Sequence, residues 1–175
     1  QERGVEIRTG TQVASVSADR VDLVGGETIP AHTLVWAAGV RANPVAEALG
    51  LPVGRGGRVE VGADLGVVGH PGVWAVGDIA AAGASGHGPS AGAALPQLAP
   101  VAIQSGRHVG CQICRSVAGR PSKPFRYRDK GTMATIGRGR AVAELPLGIK
   151  LQGLPAWVSW LALHLVFLAG FRNRI

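Results

Sequence analysis

VWAVGD, residues 73–78, is a run of four apolar residues delivered onto Gly77 and Asp78, with His70-Pro71-Gly72 closing it off on the other side. A short apolar run bracketed by turn residues reads as a buried parallel strand. A second run of the same kind, LVWAAG at residues 34–39, has Pro44 just beyond it. In open α/β sheets, ligands bind outside the carboxyl ends of such strands. At the second strand end Gly77 lets the backbone come close to a ligand, and Asp78 offers an acceptor to a sugar-like hydroxyl. The same Asp78 also suits a plain N-cap.

Working outward, the segment from Val5 to Val35 alternates β-rich runs with turn residues: VEIR at 5–8, TQVASVS at 11–17, RVDLV at 20–24, ETIP at 27–30 and TLVW at 33–36. Strands with tight connections fit this spacing. A short helix follows over Ala42–Leu49, stopped by Gly50 and Pro52, and residues 54–57 read as a loop. Residues 81–96 are a Gly, Ala and Ser tract of loop character. A helix should start near Pro100, where the missing amide proton costs nothing, and stop at Gly119 and Pro121. Ala102, Val109, Ile113 and Val117 would form its apolar face. Phe125, Tyr127 and Met133–Ile136 then alternate as a hairpin with its turn at Asp129-Lys130-Gly131.

The chain has 175 residues, 46% of them hydrophobic and 17% charged, which excludes a disordered chain. The length suits one compact domain and is too short for two complete nucleotide-binding domains. The net charge of +7 lies wholly in the last third: residues 1–120 carry nine Arg against nine acidic residues, residues 121–175 nine Lys or Arg against Asp129 and Glu144. Trp157, Trp160, Phe167 and Phe171 sit within a run of leucines rather than between the basic residues, so the anionic partner indicated is a lipid surface and not nucleic acid. From Trp157 to Phe171 a helix would be about 22 Å long, short of the ~30 Å hydrocarbon core, so it should lie in the interface. Trp157 and Trp160 read as interfacial anchors. Cys111 and Cys114 are too few for a stapled secreted fold, and nothing at the N-terminus has the order of a signal peptide, so a reducing cytosol is the expected compartment. The pair forms a CxxC, a spacing that elsewhere serves redox exchange or half a zinc site. With no second pair, burial in helix packing is the expectation. His164 reads as a satisfied histidine at the interface, and His32, His70 and His87 receive no role.

The two strand ends together resemble the paired signatures with which two-domain flavoproteins close over FAD. LPQLAPVAIQSGR at 95–107, PFRYRDKGTMATIGRGRAV at 124–142 and the Trp157–Arg174 segment narrow this. They resemble the C-terminal part of a type II NADH dehydrogenase, a pyridine nucleotide-disulfide reductase-like, FAD-containing NADH:quinone oxidoreductase peripheral to the membrane. The resemblance runs across essentially the whole chain. It implies an α/β fold, an incomplete two-domain Rossmann-like flavoprotein ending in an amphipathic membrane-binding helix. Residues 1–30 would close the NADH-binding domain, 31–120 belong to the FAD-binding domain, 121–148 form a hairpin flanking the flavin, and 149–175 begin the membrane anchor. Ala38, Gly39, Gly77, Asp78, Leu98, Ala99 and Pro100 would contact FAD, with Asp78 on the ribityl chain. The helix start over Ala99–Gln104 would stabilise negative charge on the reduced flavin. Gln104 and Lys130 would be the catalytic pair. Family members carry two glutamines on this turn; Gln104 matches the second and Pro100 stands in place of the first. Trp157, Trp160, Leu161, Leu165, Phe167, Phe171 and Arg172 would seat the protein at the cytoplasmic face of the cell membrane.

No G-x-G-x-x-G turn is present to hold a pyrophosphate; Gly137-Arg138-Gly139 is the nearest sequence. The resemblance therefore implies a fragment, inactive alone, whose NADH site is contributed by an N-terminal half. Quinone, membrane lipid, that separate half and a homodimeric copy are the implied partners, and no metal is implied. Another FAD-dependent NAD(P)H oxidoreductase is the alternative; a sulfide:quinone reductase would need widely spaced cysteines. A non-catalytic membrane-associated module is the alternative of a different class.

Overall fold

The structure, a computed structural model, describes residues 4–83 and 94–172, with the side chains of residues 147 and 167–172 outside that description. It divides into two compact units, Gln1–Gly39 and Val40–Ile175.

The first unit is an antiparallel meander of β1 (Val13–Val16), β2 (Arg20–Leu23) and β3 (Thr28–Pro30). Gly25 and Gly26, both at positive φ, make the second turn, and the Leu23 amide donates to the Glu27 carbonyl at 2.8 Å. Across the strands the Asp22 carboxylate accepts the Ser15 hydroxyl at 2.8 Å and the Thr28 hydroxyl at 2.9 Å. These bonds hold the carboxyl below the ordinary aspartate range. Val21 and Leu23 face inward. Three of the five expected strands form. VEIR at 5–8 and TLVW at 33–36 are not strands, because a β-rich run becomes one only where a neighbour supplies ladder bonds.

The second unit begins with α1 (Val45–Ala48), shorter than the expected Ala42–Leu49. The Asn43 side chain accepts the Val45 amide at 2.9 Å, and Gly50 ends the turn at φ 69°. Residues 51–83 hold together by isolated bridges, not by a sheet: Val53 to Val59, Val61 to Val67 and Gly66 to Trp74, all antiparallel. The expectation of a buried parallel strand at 73–76 is therefore corrected. Trp74 folds back antiparallel on Gly66, the Val67 amide donates to the Val73 carbonyl at 2.8 Å, and Ala75 is buried while Val73 is exposed. Parallel pairing among the described residues lies beyond the turn, between Val59 and Ala80.

Packed against this layer is α2 (Ala99–Val117), with Pro100 in its first turn and Gly119 at its stop, as expected. Of its expected face only Val109 is buried. Val101, Ser105, Val109 and Gln112 point inward, whereas Ile113 is 45% and Val117 86% exposed. Leu65, Ala82, Leu95, Val101, Val109 and Phe125 form the core under this helix. Ser105 and Gln112 can enter because backbone groups satisfy them. Cys111 and Cys114 stand exposed, which overturns the expectation of buried packing. The tract at 81–96 is described only in part, residues 84–93 lying outside the described residues; its ends meet in a Gly83–Ala94 bridge.

The chain then closes with a second meander, β4 (Thr132–Gly137), β5 (Arg140–Glu144) and β6 (Lys150–Gly153), covered by α3 (Leu154–Arg172). The hairpin turn is at Arg138-Gly139, not at Asp129-Lys130-Gly131; Gly137 pairs with Arg140 and Gly139 takes φ 69°. Small side chains at Ala141, Ala143 and Ala156 let helix and sheet approach, with Met133, Leu151 and Trp157 at the margin. No helix among the described residues is long and apolar enough to cross a membrane.

Candidate functional site

The turn at Gly77-Asp78 is built from the helix behind it. Val76 arrives extended and Gly77 swings to φ 68°, a left-handed conformation that side chains resist. The Gly77 amide donates to the Ser105 hydroxyl at 3.1 Å, and that hydroxyl donates to the Ala102 carbonyl at 3.0 Å. A Cβ on residue 77 would stand 3.3 Å from Ala102 Cβ. Glycine is required here twice over, by dihedral and by proximity.

Two more groups fix the turn from its other sides. Gln97 Nε2 donates to the Asp78 carbonyl at 3.0 Å. Arg58 donates through Nε to the Ala80 carbonyl at 3.0 Å, and a second guanidinium N–H reaches the same oxygen. Burial pushes the Arg58 pKa down, and the nearby Asp78 charge opposes that. The Asp78 backbone is thus immobilised while its side chain stays exposed, with no hydrogen-bond partner among the described residues. It is an acceptor of fixed position, suited to a polyhydroxy chain.

At its start α2 has no side-chain cap. The Leu98 carbonyl takes the amides of Val101 at 3.0 Å and Ala102 at 3.1 Å, and Pro100 has none to offer. Ala99 therefore carries the remaining outward N–H of the first turn, at the positive end of the helix dipole.

One turn further along, Gln104 is committed to the backbone. Its Nε2 donates to the Arg128 carbonyl at 2.9 Å and its Oε1 accepts the Arg128 amide at 3.0 Å. Gln112, 3% exposed, repeats the arrangement: Nε2 donates to the Lys123 carbonyl at 2.6 Å and Oε1 accepts its amide at 3.1 Å. The Phe125 amide donates to the Ala63 carbonyl at 2.7 Å on the opposite side. Residues 123–128 are clipped onto the helix as an extended strap, which is why Phe125 and Tyr127 alternate without belonging to a hairpin. The strap ends in the Asp129-Lys130-Gly131 turn, where Asp129 Oδ1 accepts the Gly131 amide at 2.9 Å. Gly131 takes φ 85°, and a Cβ there would fall 2.2 Å from the Glu144 carbonyl oxygen. Lys130 projects from this fixed turn, exposed.

Gly77, Asp78, Leu98, Ala99, Pro100, Gln104 and Lys130 thus all belong to one framework around α2. Ala38 and Gly39 end the first unit, exposed, with Gly39 at φ 77°. On α3, Trp157 packs toward the sheet and Leu161 is half-buried. Trp160 stacks on His164 with ring centres 4.0 Å apart, and His164 Nδ1 donates to the Trp160 carbonyl at 2.8 Å. Leu165 is exposed; the side chains of Phe167, Phe171 and Arg172 lie outside the described residues. Sequence reasoning missed Arg58, Gln97, Ser105 and Gln112. All four act on backbone groups distant in sequence, and no motif marks such residues.

Residues 1–106 match the family model described as pyridine nucleotide-disulphide oxidoreductase. The chain is 38% identical to the type II NADH:quinone oxidoreductase NdhA of Mycobacterium tuberculosis, covering 98% of this chain and 37% of that protein. It is 36% identical to the type II NADH:quinone oxidoreductase Ndh of the same organism, over 100% of this chain and 38% of that one. The chain thus spans well under half the length of these relatives. Among solved structures it is similar to a NAD-dependent persulfide reductase from A. fulgidus, with a TM-score of 0.59 and 22% identity over 81% of this chain and 25% of that one. At that identity the likeness establishes the shared α/β fold.

Proposed function

The chain belongs to the pyridine nucleotide-disulphide oxidoreductase family, and on that premise we propose that it is the C-terminal part of an FAD-dependent NADH:quinone oxidoreductase working at the cytoplasmic face of the cell membrane. The observation that carries this reading is the Gly77-Asp78 turn, an exposed carboxylate on a backbone held by Ser105, Gln97 and Arg58 beside the start of α2. An acceptor so placed fits the ribityl hydroxyls of FAD. When bound, FAD takes hydride from NADH and passes two electrons to quinone.

The protein's part is to bind and orient. Asp78 would accept hydrogen bonds from the hydroxyls, Gly77 keeps the turn close to α2, and the Ala99 amide with the helix dipole favours negative charge near the helix start. Leu98 and Pro100 shape that start. Lys130 brings a positive charge on a turn that the Gln104 clip and Gly131 hold in place. The two bonds to Arg128 leave Gln104 a second Nε2 N–H, which a quinone carbonyl would accept. Exposed Leu154, Val158, Leu163, Leu165 and Val166 on α3, together with the basic excess of the last third, support seating on anionic lipid. A separate N-terminal half would bring the glycine-rich turns for the two dinucleotides.

Co-expression with the N-terminal half of a type II enzyme tests this. The purified pair should retain flavin, reduce a soluble quinone analogue with NADH, and sediment with anionic vesicles. A stable pair without flavin would overturn the assignment.

A further inference from the structure

Cys111 and Cys114 are both exposed and free, one helical turn apart on α2. Cys111 also lines a shallow hollow whose other walls are Gln104, Arg107, His108, Phe125 and Arg126. Residues three apart on a helix have Cβ atoms about 5–6 Å apart, whereas a disulfide requires about 3.5–4.5 Å. Direct S–S closure would have to pull the turn together, and that turn carries Gln112. Its side chain is buried and clips Lys123, with its second N–H directed to His108 Nε2 at 2.7 Å. The core therefore resists closure. One atom inserted between the sulfurs spans the gap without moving the helix.

We propose that Cys111 and Cys114 form a dithiol site for a trivalent, thiophilic centre with two exchangeable bonds, of which a monosubstituted arsenical is the chemical type. The step balances without an oxidant. An arsine oxide R–As=O condenses with the two thiols, two As–S bonds form, the As=O bond is lost, and the oxygen leaves as water with the two thiol protons. The hollow beside Cys111, floored by Phe125, has room for the substituent R. Nothing in this site depends on a bound flavin.

The test uses the full chain and phenylarsine oxide, read by native mass spectrometry and circular dichroism. The expected result is one arsenical per chain, gained with loss of one water, surviving excess glutathione but removed by a small dithiol, with the helical signal unchanged. Cys111→Ser and Cys114→Ser should each hold the probe on the order of a hundredfold more weakly, as the loss of a second tethered bond demands. Equal retention by either variant would overturn the proposal. So would rapid loss of two hydrogens from the wild-type chain under dilute hydrogen peroxide with the helix intact, which would show that the sulfurs already meet.

Discussion

Gln104 grips Arg128 by its backbone at both ends of one amide, the Nε2 bond at 2.9 Å and the Oε1 bond at 3.0 Å. A side-chain amide that matches a peptide group in this way works like a single rung of a β-ladder, set between a helix and a strap 24 residues away in sequence. The rung is what carries the fold of α2 into the position of Lys130.

Gln104→Leu removes both bonds, and Gln104→Glu removes the donor while keeping the acceptor. Each should lower unfolding free energy by about 1–2 kcal/mol, with Glu at the lower end where pH protonates it. Urea titrations check the magnitude. In the assembled enzyme the same variants should raise the quinone KM.

Gly77→Ala should destabilise by about 1–3 kcal/mol, from the left-handed dihedral and the approach of Ala102 together. Ala102→Gly added to it should recover the steric share and leave the dihedral share. Melting of the two variants separates the contributions, and full recovery would show that the dihedral matters little.

Asp78→Ala separates stability from binding. The carboxylate is exposed and has no partner among the described residues, so the melting transition should stay within about 0.5 kcal/mol of wild type. Flavin retained per assembled complex should fall sharply, and Asp78→Asn should restore part of it through its remaining acceptor. Absorbance of the purified complex reads the outcome.

Asp64 titrates below the ordinary carboxylate range, chiefly because it accepts the Gly66 amide at 3.1 Å. Its folded value is depressed, so its contribution to stability is complete above the unfolded value near ~3.9 and disappears as pH falls through the folded one. Asp64→Asn should therefore lose stability at neutral pH and converge on wild type in acid. Denaturation series across that range check the convergence.

The sequence was most legible where a signal is local. β1, β2 and β3 stood out by period two and turn glycines, and α2 by Pro100 and Gly119, because dihedral preference acts within a few residues. The turn at Gly77 was legible for the same reason. The α2 face was misread because Ile113 and Val117 are apolar and Ser105 and Gln112 are not; burial followed the partners that these two found across the fold. The strap at 123–128 has the alternation of a hairpin strand, and its pairing with glutamine side chains leaves no periodic trace.

From its sequence alone the chain determined the limits of α2, the clustering of its charge in the last third and the glycine on which the Asp78 turn depends, since each follows from steric and electrostatic preferences within a short window. Tertiary structure alone decided that VWAVGD folds back antiparallel, that both cysteines face solvent and that Gln104 and Gln112 clip a distant strap. Those outcomes hang on which backbone groups remain unpaired once the chain is packed, a property of the whole fold that no short window contains.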